Sequence, residues 1–194
     1  KPLAELCLQK TGGNPFFLKN FLHLLYEKKL IGFERGHNVW KWDLDKIQKL
    51  NVTDNIVVFM VEKISKLSTK TQNLLKIAAC IGNEFDLKIL SMVDDNLAEK
   101  TADELWQALK EGLVLPLKGP TYFKFSHDRI QQAAYSMIDE NEKKEIHLKI
   151  GRLLQENLSE NERDENIFQI VDQMNFGFDL ILKPSEREEL ARFN

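Results

Sequence analysis

One stretch constrains this chain more than any other: Phe123-Lys124-Phe125-Ser126-His127-Asp128-Arg129-Ile130-Gln131-Gln132-Ala133-Ala134-Tyr135. Alternation from Tyr122 to Phe125 predicts a short strand. Directly behind it, Ile130, Ala133, Ala134, Met137 and Ile138 recur at helical spacing, the apolar stripe of an amphipathic helix. Ser126 is the expected N-cap, which places His127, Asp128 and Arg129 in the first turn. Backbone N–H groups there lack helical acceptors and the helix dipole is positive, so the position suits an anion. A histidine at that point can donate to a phosphate oxygen. The alternative is a strand-turn-helix of a packed core whose first polar residues are simply solvated. On the residues alone both readings stay open.

The rest of the chain is dominated by helical periodicity. Residues 3–10 predict the end of a helix, stopped by Thr11-Gly12-Gly13, and Asn14 caps the next one with Pro15 at its first position. Leu18, Phe21, Leu22 and Leu25 are its expected buried stripe. A hairpin is expected around Gly36-His37-Asn38, carrying Trp40 and Trp42 as packing residues. A short helix from Asp43 to Lys49 follows. Thr53 and Ser68 are expected to cap the next two helices, and Gly82 to end the second. Asp86 opens a helix through Val93, and Leu97 to Glu111 forms another, ended by Gly112. Leu113 to Leu115 and Tyr122 to Phe125 are strands joined by the turn Lys118-Gly119-Pro120-Thr121. Helices followed by a hairpin are in the order of a winged-helix domain, which residues 53–125 fit. Further helices are expected over 142–158 and 163–177, and from Pro184 onward, an entry into a helical-repeat array.

Composition excludes several classes. With 194 residues, 43% of them hydrophobic, the chain is long enough to bury a real core. A net charge of −3 without a basic cluster argues against binding a phosphate backbone. The expected third helix carries Glu99, Asp103, Glu104 and Glu111 against Lys100 and Lys110, a face that repels duplex DNA. Cys7 and Cys80 sit far apart in apolar patterns and read as reduced core residues of a cytoplasmic protein. No apolar run is long enough to span a membrane, so no membrane partner is expected. The start in mid-pattern without an initiator Met suggests an excised piece.

Catalytic constellations are scarce. There is no phosphate-binding Gly-x-x-x-x-Gly-Lys-Ser/Thr loop and no strand ending in a magnesium-binding acidic pair. His23, His37, His127 and His147 have no metal-ligand spacing. No catalytic residue and no metal site is expected, and this length alone is not expected to be an enzyme.

Several segments together resemble a known family. Thr11-Gly12-Gly13-Asn14-Pro15-Phe16-Phe17-Leu18 resembles the Gly-x-Pro segment of STAND-class signal-transduction ATPases. Ala78 to Gly82, Glu111-Gly112-Leu113, Phe125 to Tyr135, His147 to Leu154 and Glu186 to Ala191 are similar to one subgroup of these. That subgroup is the large bacterial multidomain sensor kinases. In them an ATPase module of AAA type precedes helical repeats, GAF or PAS sensors and a histidine kinase, some with a serine/threonine kinase in front. The likeness covers nearly the whole chain and corresponds to the C-terminal part of the ATPase module.

The resemblance implies a mainly α fold in three parts: the end of a helical lid over 1–51, a winged-helix domain with a small β-hairpin wing over 52–138, and the start of tetratricopeptide-like repeats over 139–194. It implies nucleotide contacts from Gly13, Asn14 and Pro15, with the proline against the adenine ring. His127 and Asp128 match the pair whose histidine touches the β-phosphate of ADP in the resting state, with Ser126 departing from the usual preceding residue. ADP or ATP with Mg is expected only together with an upstream nucleotide-binding core. Partners are then that core and the downstream repeat, sensor and kinase domains of the same chain, with oligomers possible in the full protein. A nucleotide-independent interaction scaffold is the alternative reading.

Overall fold

The computed structural model describes residues 2–50, 52–117, 119 and 121–193, with side chains at 52–56, 189 and 193 excepted. Helix α1 (Pro2–Thr11) stops where Gly12 and Gly13 take φ of +59° and +75°, left-handed angles that glycine adopts without a Cβ clash. Asn14 then opens α2 (Pro15–Glu27), its Oδ1 accepting from the N–H groups of Phe16 and Phe17 at 2.9 and 3.3 Å. Helix α2 buries Phe21, Leu24 and Leu25, whereas Leu22, expected inward, is exposed. The buried face is rotated toward Leu24, which moves Leu22 to the opposite edge of the stripe.

Strands β1 (Ile31–Glu34) and β2 (Val39–Trp42) form the expected hairpin, pairing Ile31 with Trp42 and Phe33 with Trp40. Its turn includes Asn38 at φ +51°. Trp40 and Trp42 are 55% and 43% exposed, so the expectation that they pack internally is corrected. A two-stranded ribbon has no second layer to cover both of its faces. Asp43 caps α3 (Leu44–Lys49), whose Ile47 is fully buried. Lys10 Nζ donates to the Leu50 carbonyl at 2.5 Å and ties α1 to the end of α3.

The described residues fall into two compact units, Lys1–Lys63 and Ile64–Asn194, and α4 (Val52–Ser65) runs through the division. Helix α4 already includes Thr53, the expected cap, whose side chain lies outside the described residues.

In the second unit Ser68 caps α5 (Thr69–Ile81) through Thr71 N–H at 3.2 Å, and Gly82 ends it. Strand β3 (Glu84–Asp86) leads into α6 (Leu87–Val93), capped by Asp86 on Lys88 N–H at 2.6 Å. Helix α7 (Ala98–Lys110) closes on Gly112 at φ +66°. Strands β4 (Val114–Pro116) and β5 (Tyr122–Phe125) follow, with Lys118 and Pro120 of their turn outside the described residues. The sheet order is β3-β5-β4, antiparallel throughout. Strand β3 has no signature in the sequence, because three residues with one buried side chain, Phe85, are too short to show a period. Phe85 lies against the Phe123 and Phe125 rings at 6.1 and 5.6 Å.

Helices α8 (Asp128–Ser136) and α9 (Glu140–Asn157) continue the unit. The expected helix over 163–177 is two: α10 (Glu160–Glu165) and α11 (Ile167–Phe176). They break at Asn166, whose side-chain amide donates to the Glu162 carbonyl at 2.7 Å and competes with the helical pattern. A 3-10 turn (Phe178–Leu180) leads to α12 (Pro184–Phe193), which starts at the proline as expected. The fold is mainly α with small antiparallel sheets, as the sequence implies.

Candidate functional site

The first group of candidate residues lies where α1 turns into α2. Gly12 and Gly13 reverse the chain, and a Cβ on Gly13 would meet Leu8 Cδ1 at 3.2 Å. Thr11 Oγ1 donates to the Cys7 carbonyl at 2.7 Å, and Asn14 N–H donates to the Thr11 carbonyl at 3.1 Å. The Asn14 carboxamide oxygen is therefore committed to the helix start, and Pro15 is presented exposed at the first position of α2. Local hydrogen bonds hold this corner together, with the proline as its outward element.

The second group lies where β5 turns into α8. The N-cap is His127 and not Ser126, which corrects the sequence expectation by one residue. Ser126 is engaged in the sheet: its N–H donates to the Leu113 carbonyl at 3.0 Å and its Oγ to the Gly112 carbonyl at 2.6 Å. His127 takes over the capping, with Nδ1 accepting from Arg129 N–H at 3.2 Å. Asp128 Oδ1 touches the same Nδ1 and also accepts from Arg129 N–H, at 2.8 Å. The His127 side chain is 19% exposed and that of Asp128 73%. The imidazole thus sits at the positive end of α8, with a carboxylate beside it. Gln131 Nε2 donates to the Ala79 carbonyl at 3.1 Å and fixes α8 against α5.

Gly13, Asn14 and Pro15 belong to the unit Lys1–Lys63, and His127 and Asp128 to the unit Ile64–Asn194. Each group is brought together within its own unit. Among the described residues no three metal-ligating side chains converge.

The second unit also holds a polar chain that no motif in the sequence announces. Tyr135 of α8 and His147 of α9 meet at 3.0 Å, oxygen to Nε2, and His147 Nδ1 meets Gln173 Oε1 of α11 at 2.6 Å. Gln173 Nε2 donates to the Cys80 carbonyl of α5 at 2.9 Å. The imidazole lies 4.2 Å from the Phe176 ring, centroid to centroid. Burial holds the His147 pKa below its ordinary value and raises that of Tyr135. The Cys80 thiol is pushed up to about 12 by burial, which keeps it protonated. The signal in the sequence is Gln173 itself, a polar side chain set into the Ile170-Val171-Met174 stripe.

No protein-family model matches the chain, and no solved structure does. Among curated proteins it is similar to the hybrid signal transduction histidine kinase G of Dictyostelium discoideum, 32% identical over 243 residues that cover 99% of this chain and 7% of that protein. It is also similar to the peroxide stress-activated histidine kinase mak3 of Schizosaccharomyces pombe, 29% identical over 176 residues, 87% of this chain and 7% of that one. The chain therefore spans about 7% of the length of the curated relatives it matches. Both relatives are eukaryotic, whereas the resemblance drawn from the motifs implies a bacterial sensor kinase.

Proposed function

We propose that this chain is a regulatory, signal-transmitting segment of a signal-transduction histidine kinase. The likeness to histidine kinase G across 99% of the chain carries that reading. The finer reading is that the segment senses nucleotide state. In it, residues 1–51 are the end of a helical lid, and residues 52–138 are a winged helix with β4 and β5 as its wing. The helix-strand-helix-helix-strand-strand order and the β3-β5-β4 sheet support the winged-helix reading. The residues after 138 begin a helical-repeat region.

His127 supports the sensing role: it stands at the N-terminus of α8, where an anion is favoured, and is the cap of that helix. A β-phosphate held by an upstream nucleotide-binding core would meet the imidazole in the ADP state. Loss of that contact on exchange for ATP would change the energy difference between two arrangements, which is what a switch requires. Helix α8 is fixed to α5 through Gln131 and to α9 through Tyr135, so a displacement at His127 would be passed into the following helices. The outer face of α7 exposes Glu99 and Asp103, which disfavours DNA as the partner.

The test is calorimetry with ADP and with ATP plus Mg, on these 194 residues and on a longer piece of the same polypeptide reaching upstream. Only the longer piece is expected to bind. His127→Asn retains a good helix cap while removing the imidazole, and is expected to weaken ADP more than ATP. Absence of binding by both lengths would overturn nucleotide sensing in favour of a nucleotide-independent scaffold.

A further inference from the structure

The hairpin and α2 flank an open trough of about 610 Å³ within the unit Lys1–Lys63. That is the size of sites that take small organic ligands. One wall carries Trp40 and Trp42, two residues apart on β2 and so on the same face of the ribbon. The other carries Lys19, Leu22, His23 and Tyr26, which helical spacing sets along one side of α2. The rotation of α2 that buries Leu24 is what turns Leu22 and Tyr26 into this trough.

Three large rings remain substantially open here: Tyr26 at 61%, Trp40 at 55% and Trp42 at 43%. Exposed aromatic surface concentrated on facing walls marks a recognition site more often than scattered apolar residues do. The lining surface is almost wholly apolar, and Lys19 is the one lysine or arginine among the lining residues, so it sets the sign of the ligand. No carboxylate lines the trough, and neither Lys19 nor His23 has a hydrogen-bond or ion-pair partner among the described residues. Both lie on the α2 wall one turn apart, so an anionic group bonded to Lys19 leaves the rings free to stack on indole.

We propose that this trough binds a planar aromatic anion, with Trp42 stacking on the ring system and Lys19 pairing with the negative group. The site uses neither Pro15 nor His127, and it stands or falls independently of nucleotide sensing.

Two dyes with the same ring system separate the contributions: 1-anilinonaphthalene-8-sulfonate, and N-phenyl-1-naphthylamine, which lacks the sulfonate. Fluorescence titration of the 194-residue chain should give one site per chain. The sulfonated dye should bind about tenfold more tightly, the scale of one charge-assisted contact. Lys19→Glu, an exposed position whose change leaves the core intact, should abolish that preference while the neutral dye still binds. Trp42→Ala should weaken both dyes, and Trp106→Ala, in the other unit, should change neither. Circular dichroism melts establish that each variant is folded. If Trp42→Ala unfolds, Trp42→Leu takes its place, keeping an apolar side chain without the ring. Equal affinity for the two dyes, a preference that survives Lys19→Glu, or binding indifferent to Trp42 would overturn the proposal.

Discussion

His147 and Gln173 share a buried hydrogen bond of 2.6 Å, and Gln173 sets its direction. The Gln173 amide nitrogen donates to the Cys80 carbonyl, so its oxygen is turned to the imidazole and His147 Nδ1 carries the hydrogen. Nε2 is then the acceptor for the Tyr135 hydroxyl. Four helices, α5, α8, α9 and α11, are joined by one chain of bonds running in a single direction, closed by a neutral histidine. Lys143 reinforces neutrality, with its Nζ 4.6 Å from the Tyr135 ring centre and its charge opposing a second proton on the imidazole.

This neutrality has a pH signature. Burial, then the charge of Lys143, keeps the folded pKa of His147 below its ordinary value of about 6.5. Below about 6.5 the unfolded chain therefore binds the proton more readily than the folded one, and stability rises with pH. The contribution is fully present above that value and is lost as pH falls from there toward the folded pKa. Urea midpoints across this range should drop for the wild type, and His147→Gln should flatten that component.

At Gly177, just past the end of α11, the chain approaches α9 so closely that an added side chain must push a neighbour aside. A Cβ there would lie 2.7 Å from both the Lys144 carbonyl oxygen and Leu148 Cβ. Gly177→Ala should destabilise the chain by about 1–3 kcal/mol, the usual scale of overpacking. Gly36→Ala, with open space around its Cβ, should change little. Chemical denaturation of the two variants compares them directly.

Asn14 ends the glycine turn and begins α2, so its replacement should act locally. Asn14→Ala removes the acceptor for Phe16 and Phe17 N–H and should lower stability by about 1 kcal/mol. Amide exchange at Phe16 and Phe17 should accelerate most. Uniform protection across α2 would contradict this assignment.

Arg152 and Glu186 form a two-pronged pair, Nε to Oε1 at 2.7 Å and Nη2 to Oε2 at 3.0 Å, joining α9 to α12. The guanidinium holds the Glu186 carboxyl below its usual range. Both prongs are lost in Glu186→Ala, which should raise amide exchange through α12 and leave α5 to α8 unchanged. High salt should affect the wild type more than the variant.

The amphipathic helices were legible because their buried faces repeat over several turns, as in α5 and α9. The hairpins were legible because glycine and asparagine mark their turns, with Asn38 and Gly119 at positive φ. Of the candidate site, the Asn14 cap with Pro15 behind it follows from side-chain chemistry within three residues. Propensity alone favours Ser126 as the cap of α8, but His127 takes that place. Ser126 serves the sheet instead, through Gly112, a residue fourteen positions away.

That contrast defines what each level decides. Sequence alone determined the mainly α class, most helix starts and the positions of the two hairpins, because caps, turns and periods act over a few residues. Tertiary structure alone decided which side of α2 is buried, that Trp40 and Trp42 stay open, that Phe85 joins a third strand, and that Gln173 meets His147. Each of these depends on a partner distant along the chain, such as Cys80 for Gln173. Local preferences cannot specify a partner that only packing brings within hydrogen-bond range.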